Sequence, residues 1–181
     1  MPHVVHRRRE RRSGVQVLEV ILVTPIIALV MLAILEFGML NITHGALTQA
    51  TTVGAREAGK LAPSGAIVLE EVVDEVNAVL AAIDILLDDD PGDGTYFIIE
   101  DGDNDPSDSN NWLTFGDPDL AGVCEPPAQG TPIGGEVRVT LCVEFDATKL
   151  NGAQVIDAFS YCGFTFDGKR FEMSALVKKE V

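Results

Sequence analysis

RRSGVQVLEVILVTPIIALVMLAILEFGML, residues 11–40, decides the fold, because it joins a basic tip to a long apolar run with an acid near each end. The uncharged part runs from Val20 to Leu35 and is bracketed by Glu19 and Glu36. As a helix it covers about 24 Å, slightly less than a hydrocarbon core of about 30 Å. A charge at mid-bilayer costs roughly 2.5–3.5 kcal/mol even on the mild insertion scales. A short span instead sets both acids at its edges, where their carboxylates snorkel toward water. Pro25 and Gly38 weaken a soluble helix but are tolerated in membrane spans.

The charge layout agrees with a span. The 181 residues hold 28 acidic and 13 basic side chains, for a net charge of −15. Residues 1–14 oppose this, with Arg7, Arg8, Arg9, Arg11 and Arg12 against the single acid Glu10. A basic tip stays in the cytoplasm and an acidic body is exported, by the positive-inside rule. Phosphate would be repelled by such a body, which excludes nucleic acid as a partner. A cleavable secretory signal also has a basic start and an apolar run, but it ends in a small-x-small site. Here the run continues into FGMLNITHGALTQA, residues 37–50, without one. Four regions are expected: a basic cytoplasmic leader 1–14, a transmembrane helix 15–40, a helical stalk 41–62, and an exported acidic α+β domain 63–181.

Within that domain, Ile67, Leu69, Val72, Val73, Val76, Val79, Leu80, Ile83 and Leu87 recur at spacings of three and four. They predict one amphipathic helix ending at DDDPGDG, residues 88–94, with Glu70, Glu71, Asp74, Glu75 and Asn77 on its polar face. TYFIIE, 95–100, reads as a short strand, and residues 101–130 as a long polar loop. EVRVTLCVEF, 136–145, alternates cleanly and predicts a half-buried strand, with Val137, Val139, Leu141, Val143 and Phe145 inward. SYCGFTF and KRFEMSALV, joined by Asp167 and Gly168, read as a hairpin. The fold class is α+β: a long helix, an amphipathic helix and a small antiparallel sheet of three or four strands.

Few residues offer chemistry. Cys124, Cys142 and Cys162 lie in the part expected outside the cytoplasm, where disulfides persist. Cys142 on the polar face of its strand favours Cys124–Cys142 over Cys142–Cys162, and three unpaired thiols remain an alternative. Asp101, Asp103 and Asp105 alternate like the first ligands of a calcium loop. Pro106 then stands where the sharp-turn glycine belongs and Trp112 where the closing glutamate belongs, so a solvated acidic loop is expected, with weak calcium binding as the alternative. No other cofactor and no small-molecule substrate is expected. His3, His6 and His44 lie in the tip and at the membrane edge, no phosphate-cradling loop or nucleophile elbow is present, and no enzyme is expected.

The glycine–glutamate spacing carries a resemblance. A basic leader ending in Gly14, a start at Val15 and Glu19 as its fifth residue resemble the type IV prepilin (class III) signal. In that family a membrane-embedded peptidase cuts after the glycine, and the glutamate meets a neighbouring subunit's free amino terminus. More narrowly, Pro25 mid-span and Glu36-Phe37-Gly38 at its outer end resemble the TadE-like minor pseudopilins of the tight-adherence (Flp) pilus system. Their amino-terminal helix typically reads RRxGxxxxEfalvlPlllll…iEfG; here Val17 and Leu18 precede Glu19 and Val20 follows it, where small residues and phenylalanine are usual. AREAGK, 55–60, and FEMSALVKKE, 171–180, are similar to later parts of the family more loosely.

The resemblance implies a pilin-like, single-pass protein of the bacterial cytoplasmic membrane that is processed after Gly14. Its implied partners are lipid, the prepilin peptidase, other pilins or pseudopilins, and the pilus assembly platform. A pseudopilin of a type II secretion or type IV pilus machine, and an unprocessed anchor displaying an acidic, calcium-binding domain, stand as alternatives.

Overall fold

The computed structural model describes residues 10–61, 67–103, 112–127, 130–145 and 168–180. Its first element is a helix of 52 residues, α1 (Glu10–Leu61), about 78 Å long at 1.5 Å per residue. Pro25 sits inside it without ending it. Around this position Thr24 Oγ1 donates to the Val20 carbonyl at 2.6 Å, a bond that keeps a polar side chain on the helix's own backbone.

Two halves of α1 differ in what surrounds them. From Gln16 to Leu35 its large apolar side chains, among them Leu18, Ile21, Ile26 and Ile34, are exposed, and from Glu36 onward one face begins to be covered. This is a helix long and apolar enough to cross a membrane. From Leu47 onward the same helix becomes one wall of the core: Leu47, Ala50, Thr51, Ala55 and Ala58 are buried at three- and four-residue spacings. Small side chains there let other elements come close.

The first of these is α2 (Leu69–Leu80), whose Val72, Val73, Val76 and Leu80 are buried against α1. Glu70 and Glu71 occupy its first turn, where negative charge suits the helix dipole. The helix stops at Leu80, short of the turn at residue 88 that its apolar spacing predicts. A 3-10 turn (Ala81–Ile83) follows, and Ile85 and Leu87 are buried from non-helical backbone. The cause is Asn77, whose side chain takes both backbone groups of Leu87: Nδ2 donates to its carbonyl at 3.0 Å and its amide donates to Oδ1 at 2.7 Å. The chain is folded back along the helix instead of continuing it.

The remaining elements form one antiparallel sheet in the order β2-β1-β3-β4: β1 (Thr95–Asp101), β2 (Leu113–Gly116), β3 (Glu136–Phe145) and β4 (Lys169–Lys178). The expected α+β class is therefore found, with four strands. Strand β2 falls inside the stretch expected to be loop; WLTF, 112–115, was a local β signal among acids and prolines. Residues 160–166, the expected first arm of the last hairpin, lie outside the described residues.

One face of the sheet, with Phe97, Ile99, Val137, Val139, Leu141 and Val143, packs on α1 and α2. The expectation of a half-buried β3 is corrected here. Arg138, Thr140 and Cys142 on its other face are buried as well, because β3 is central and residues 117–127 cover that face. The C-terminus closes the structure: Lys179 N–H donates to Gly135 and Glu180 N–H to Gly59, at 2.9 and 3.2 Å.

Candidate functional site

The bare half of α1 carries the residues singled out from the sequence. Gly14 and Val15 lie within the helix, four to five residues before Glu19, which is exposed. One to two helical turns separate them, so all three sit at the same end of the apolar run. At the other end Glu36, Phe37 and Gly38 diverge. Phe37 is exposed, and a Cβ added to Gly38 would meet nothing within 4 Å. Glu36 is 5% exposed, and neither carboxylate oxygen has a hydrogen-bond partner among the described residues. It belongs to the stripe Ala33, Glu36, Leu40, Thr43, Leu47, Ala50, Gly54 and Ala58, the face of α1 that runs into the core.

Two of the three aspartates of the acidic loop, Asp101 and Asp103, meet a lysine. Lys179 Nζ lies 2.6 Å from Asp101 Oδ1 and 2.5 Å from Asp103 Oδ2. Asp103 also accepts the Gly135 N–H at 2.9 Å. The hydrogen bond from Lys179, then the one from Gly135, hold the Asp103 carboxyl below its ordinary range. Burial lowers Lys179, but its two carboxylates outweigh that and raise it overall. Both acids thus pin the C-terminal segment. Asp105 lies outside the described residues.

A second acidic group was read from sequence only as a turn. Asp88, Asp90 and Asp93 bring carboxylate oxygens within 4.8 Å of one another. Gly92 and Gly94 adopt positive φ (94° and 69°), which explains the glycines of DDDPGDG. Burial, then Asp90, Asp88 and Asp117, push the Asp93 carboxyl up. The signal was the density of aspartates, but spacing alone does not say that a turn folds them together.

On the face of the sheet away from α1, Cys124 and Cys142 form a disulfide, the pairing favoured from the sequence. Cys162 lies outside the described residues. On the same face of β3, four residues from Cys142, Arg138 forms a buried ion pair with Glu100, and Arg138 Nη1 also donates to the Pro127 carbonyl at 2.7 Å. Sequence reasoning placed Arg138 on a solvated face and missed the pair.

Comparison with known families bears on one part of this geometry. Residues 14–56 match the family model described as TadE-like protein. The match includes Gly14, Glu19, Glu36, Phe37 and Gly38 and ends within the turns of α1 that pack on the domain. No curated protein and no solved structure matches the chain.

Proposed function

We propose that the chain is a membrane-anchored minor pseudopilin that takes part in assembling a Tad/Flp-type pilus and is processed by a prepilin peptidase after Gly14. One observation carries this reading: the TadE-like match includes the segment that holds Gly14 and Glu19, and from Gln16 to Leu35 every side chain of that segment but Ala33 is exposed. An apolar helix exposed as widely as Gln16 to Leu35 is suited to lipid first and to other apolar helices afterwards. Cleavage after Gly14 removes the arginine-rich leader and leaves an ammonium on Val15, one turn from Glu19. An ammonium and a carboxylate in low dielectric offset each other, whereas either alone is costly. Glu19 then serves recognition by the peptidase, or assembly by meeting the amino terminus of a neighbouring subunit.

In this role the protein catalyses nothing and needs no cofactor. Its amino terminus is cytoplasmic and its acidic domain faces outward, a side on which the Cys124–Cys142 disulfide persists. The test is the mass of the protein extracted from membranes. A mature start at Val15 is expected, and Gly14→Phe is expected to keep the chain at precursor size. Normal processing of that variant, or an intact Met1 or Pro2 start in the wild type, would defeat the reading and leave a plain anchor.

A further inference from the structure

Glu36 has no hydrogen-bond partner among the described residues. Both carboxylate oxygens are buried, and no donor reaches either among the described residues. Such a group is retained only where a cation or several donors answer it. Leu35 and Phe37, on either side of it in the chain, are 61% and 58% exposed, so the helix flanks beside it are open. An apolar helix of a second copy would cover those flanks, and a cation carried on it would answer the carboxylate.

Beyond its basic start, α1 carries two cationic side chains, Arg56 and Lys60. Lys60 is held by Glu57 at 2.7 Å. Arg56 is exposed on the side of α1 turned away from Gly54 and Ala58, with no acceptor among the described residues. We propose that Glu36 and Arg56 pair between two copies of this chain, lying parallel and displaced along their helices by about 20 residues or 30 Å.

Several features suit this pairing. The displacement sets residues 21–40 of one copy beside residues 41–60 of the other, covering apolar surface that a single copy leaves open. A guanidinium on a long stem reaches a recessed carboxylate and binds it with two hydrogen bonds. Without residues 1–14 each copy carries 27 acidic and 8 basic side chains, a net charge of −19, so unspecific association is repulsive and one defined opposite-charge contact sets the register. The contact is also open-ended: each pair leaves one free Glu36 and one free Arg56, the condition for a filament.

This pairing rests on the assembly role proposed above. It is tested in full-length chains with two different tags, co-expressed in a bacterial membrane in a Cys162→Ser background. One copy carries Leu40→Cys and the other Lys60→Cys, positions that the same displacement brings together. Oxidation is expected to give a mixed-tag dimer through 40 and 60. Glu36→Gln, which keeps the side-chain shape, and Glu36→Arg in the first copy should each lower its yield several-fold. Arg56→Glu in the second copy should restore the yield lost by Glu36→Arg. A 40–40 product in place of 40–60, no mixed dimer, or loss without restoration would overturn the pairing. Restoration by Lys169→Glu within the first copy would overturn it too, assigning Glu36 to its own domain. A failed cross-link beside a mature Val15 start removes the pairing alone; an uncleaved chain removes the role on which it rests.

Discussion

Arg138 and Glu100 stand opposite one another on β3 and β1, and the guanidinium closes on both carboxylate oxygens, Nη2 to Oε1 at 2.8 Å and Nε to Oε2. Both side chains are about 95% removed from water. Arg138→Met leaves the Glu100 carboxylate buried without its partner, an expected loss of about 3–5 kcal/mol. Arg138→Met with Glu100→Leu should lose clearly less than the sum of the single changes, because no charge is stranded. Denaturant unfolding of the full chain in detergent measures both; additive losses would argue against a coupled pair.

At Gly54 α1 lies close against both α2 and the sheet. A Cβ there would stand 2.8 Å from Val76 Cγ2 and 3.3 Å from Phe97 Cζ. Glycine to alanine inside a helix ordinarily gains about 1 kcal/mol. At Gly54 overpacking of roughly 1–3 kcal/mol opposes this, because a β-branched valine has no free rotamer to yield. Gly54→Ala is therefore expected to destabilise, while Gly45→Ala, with nothing within 4 Å, stabilises. The two midpoints compared in one unfolding series should move in opposite directions.

The Cys124–Cys142 bond closes a loop across 18 residues. Loop-closure entropy puts its contribution at about 3 kcal/mol. Reduction, or Cys124→Ser with Cys142→Ser, should lower the melting temperature and loosen residues 117–127 over Arg138. Hydrogen exchange at these residues should rise in step; unchanged exchange would mean that packing alone holds the loop.

Two acids give pH dependence of opposite sign. Asp93 is raised in the folded state, so its ionised form is penalised at pH above that value, and the penalty fades as pH falls through it. Asp93→Asn should stabilise at neutral pH, with the gain shrinking on acidification. Asp103 is lowered, so it adds stability above its unfolded value and loses it as pH falls through its folded one. Asp103→Asn should destabilise at neutral pH and be silent in strong acid. Melting temperatures of both variants across pH 3 to 8 check the signs.

Sequence alone determined what depends on local composition and period. Hydropathy marked the bare half of α1, and Gly14, Glu19 and Glu36 could be placed at its ends by counting. Strict alternation marked β3 at Glu136–Phe145, and Cys142 on its polar face pointed to Cys124. What depends on groups distant in the chain was decided only by the tertiary structure. Asn77 ends α2 because Leu87 folds back to meet it. Asp101 and Asp103 face an ammonium 76 to 78 residues further on. Arg138 and Thr140 are buried because a disulfide-tied segment covers their face, and period two cannot tell a covered face from a wet one. Glu36 shows the same division: its position at the end of the span was legible, and its burial without a partner was not, since burial is a property of neighbours and not of the residue.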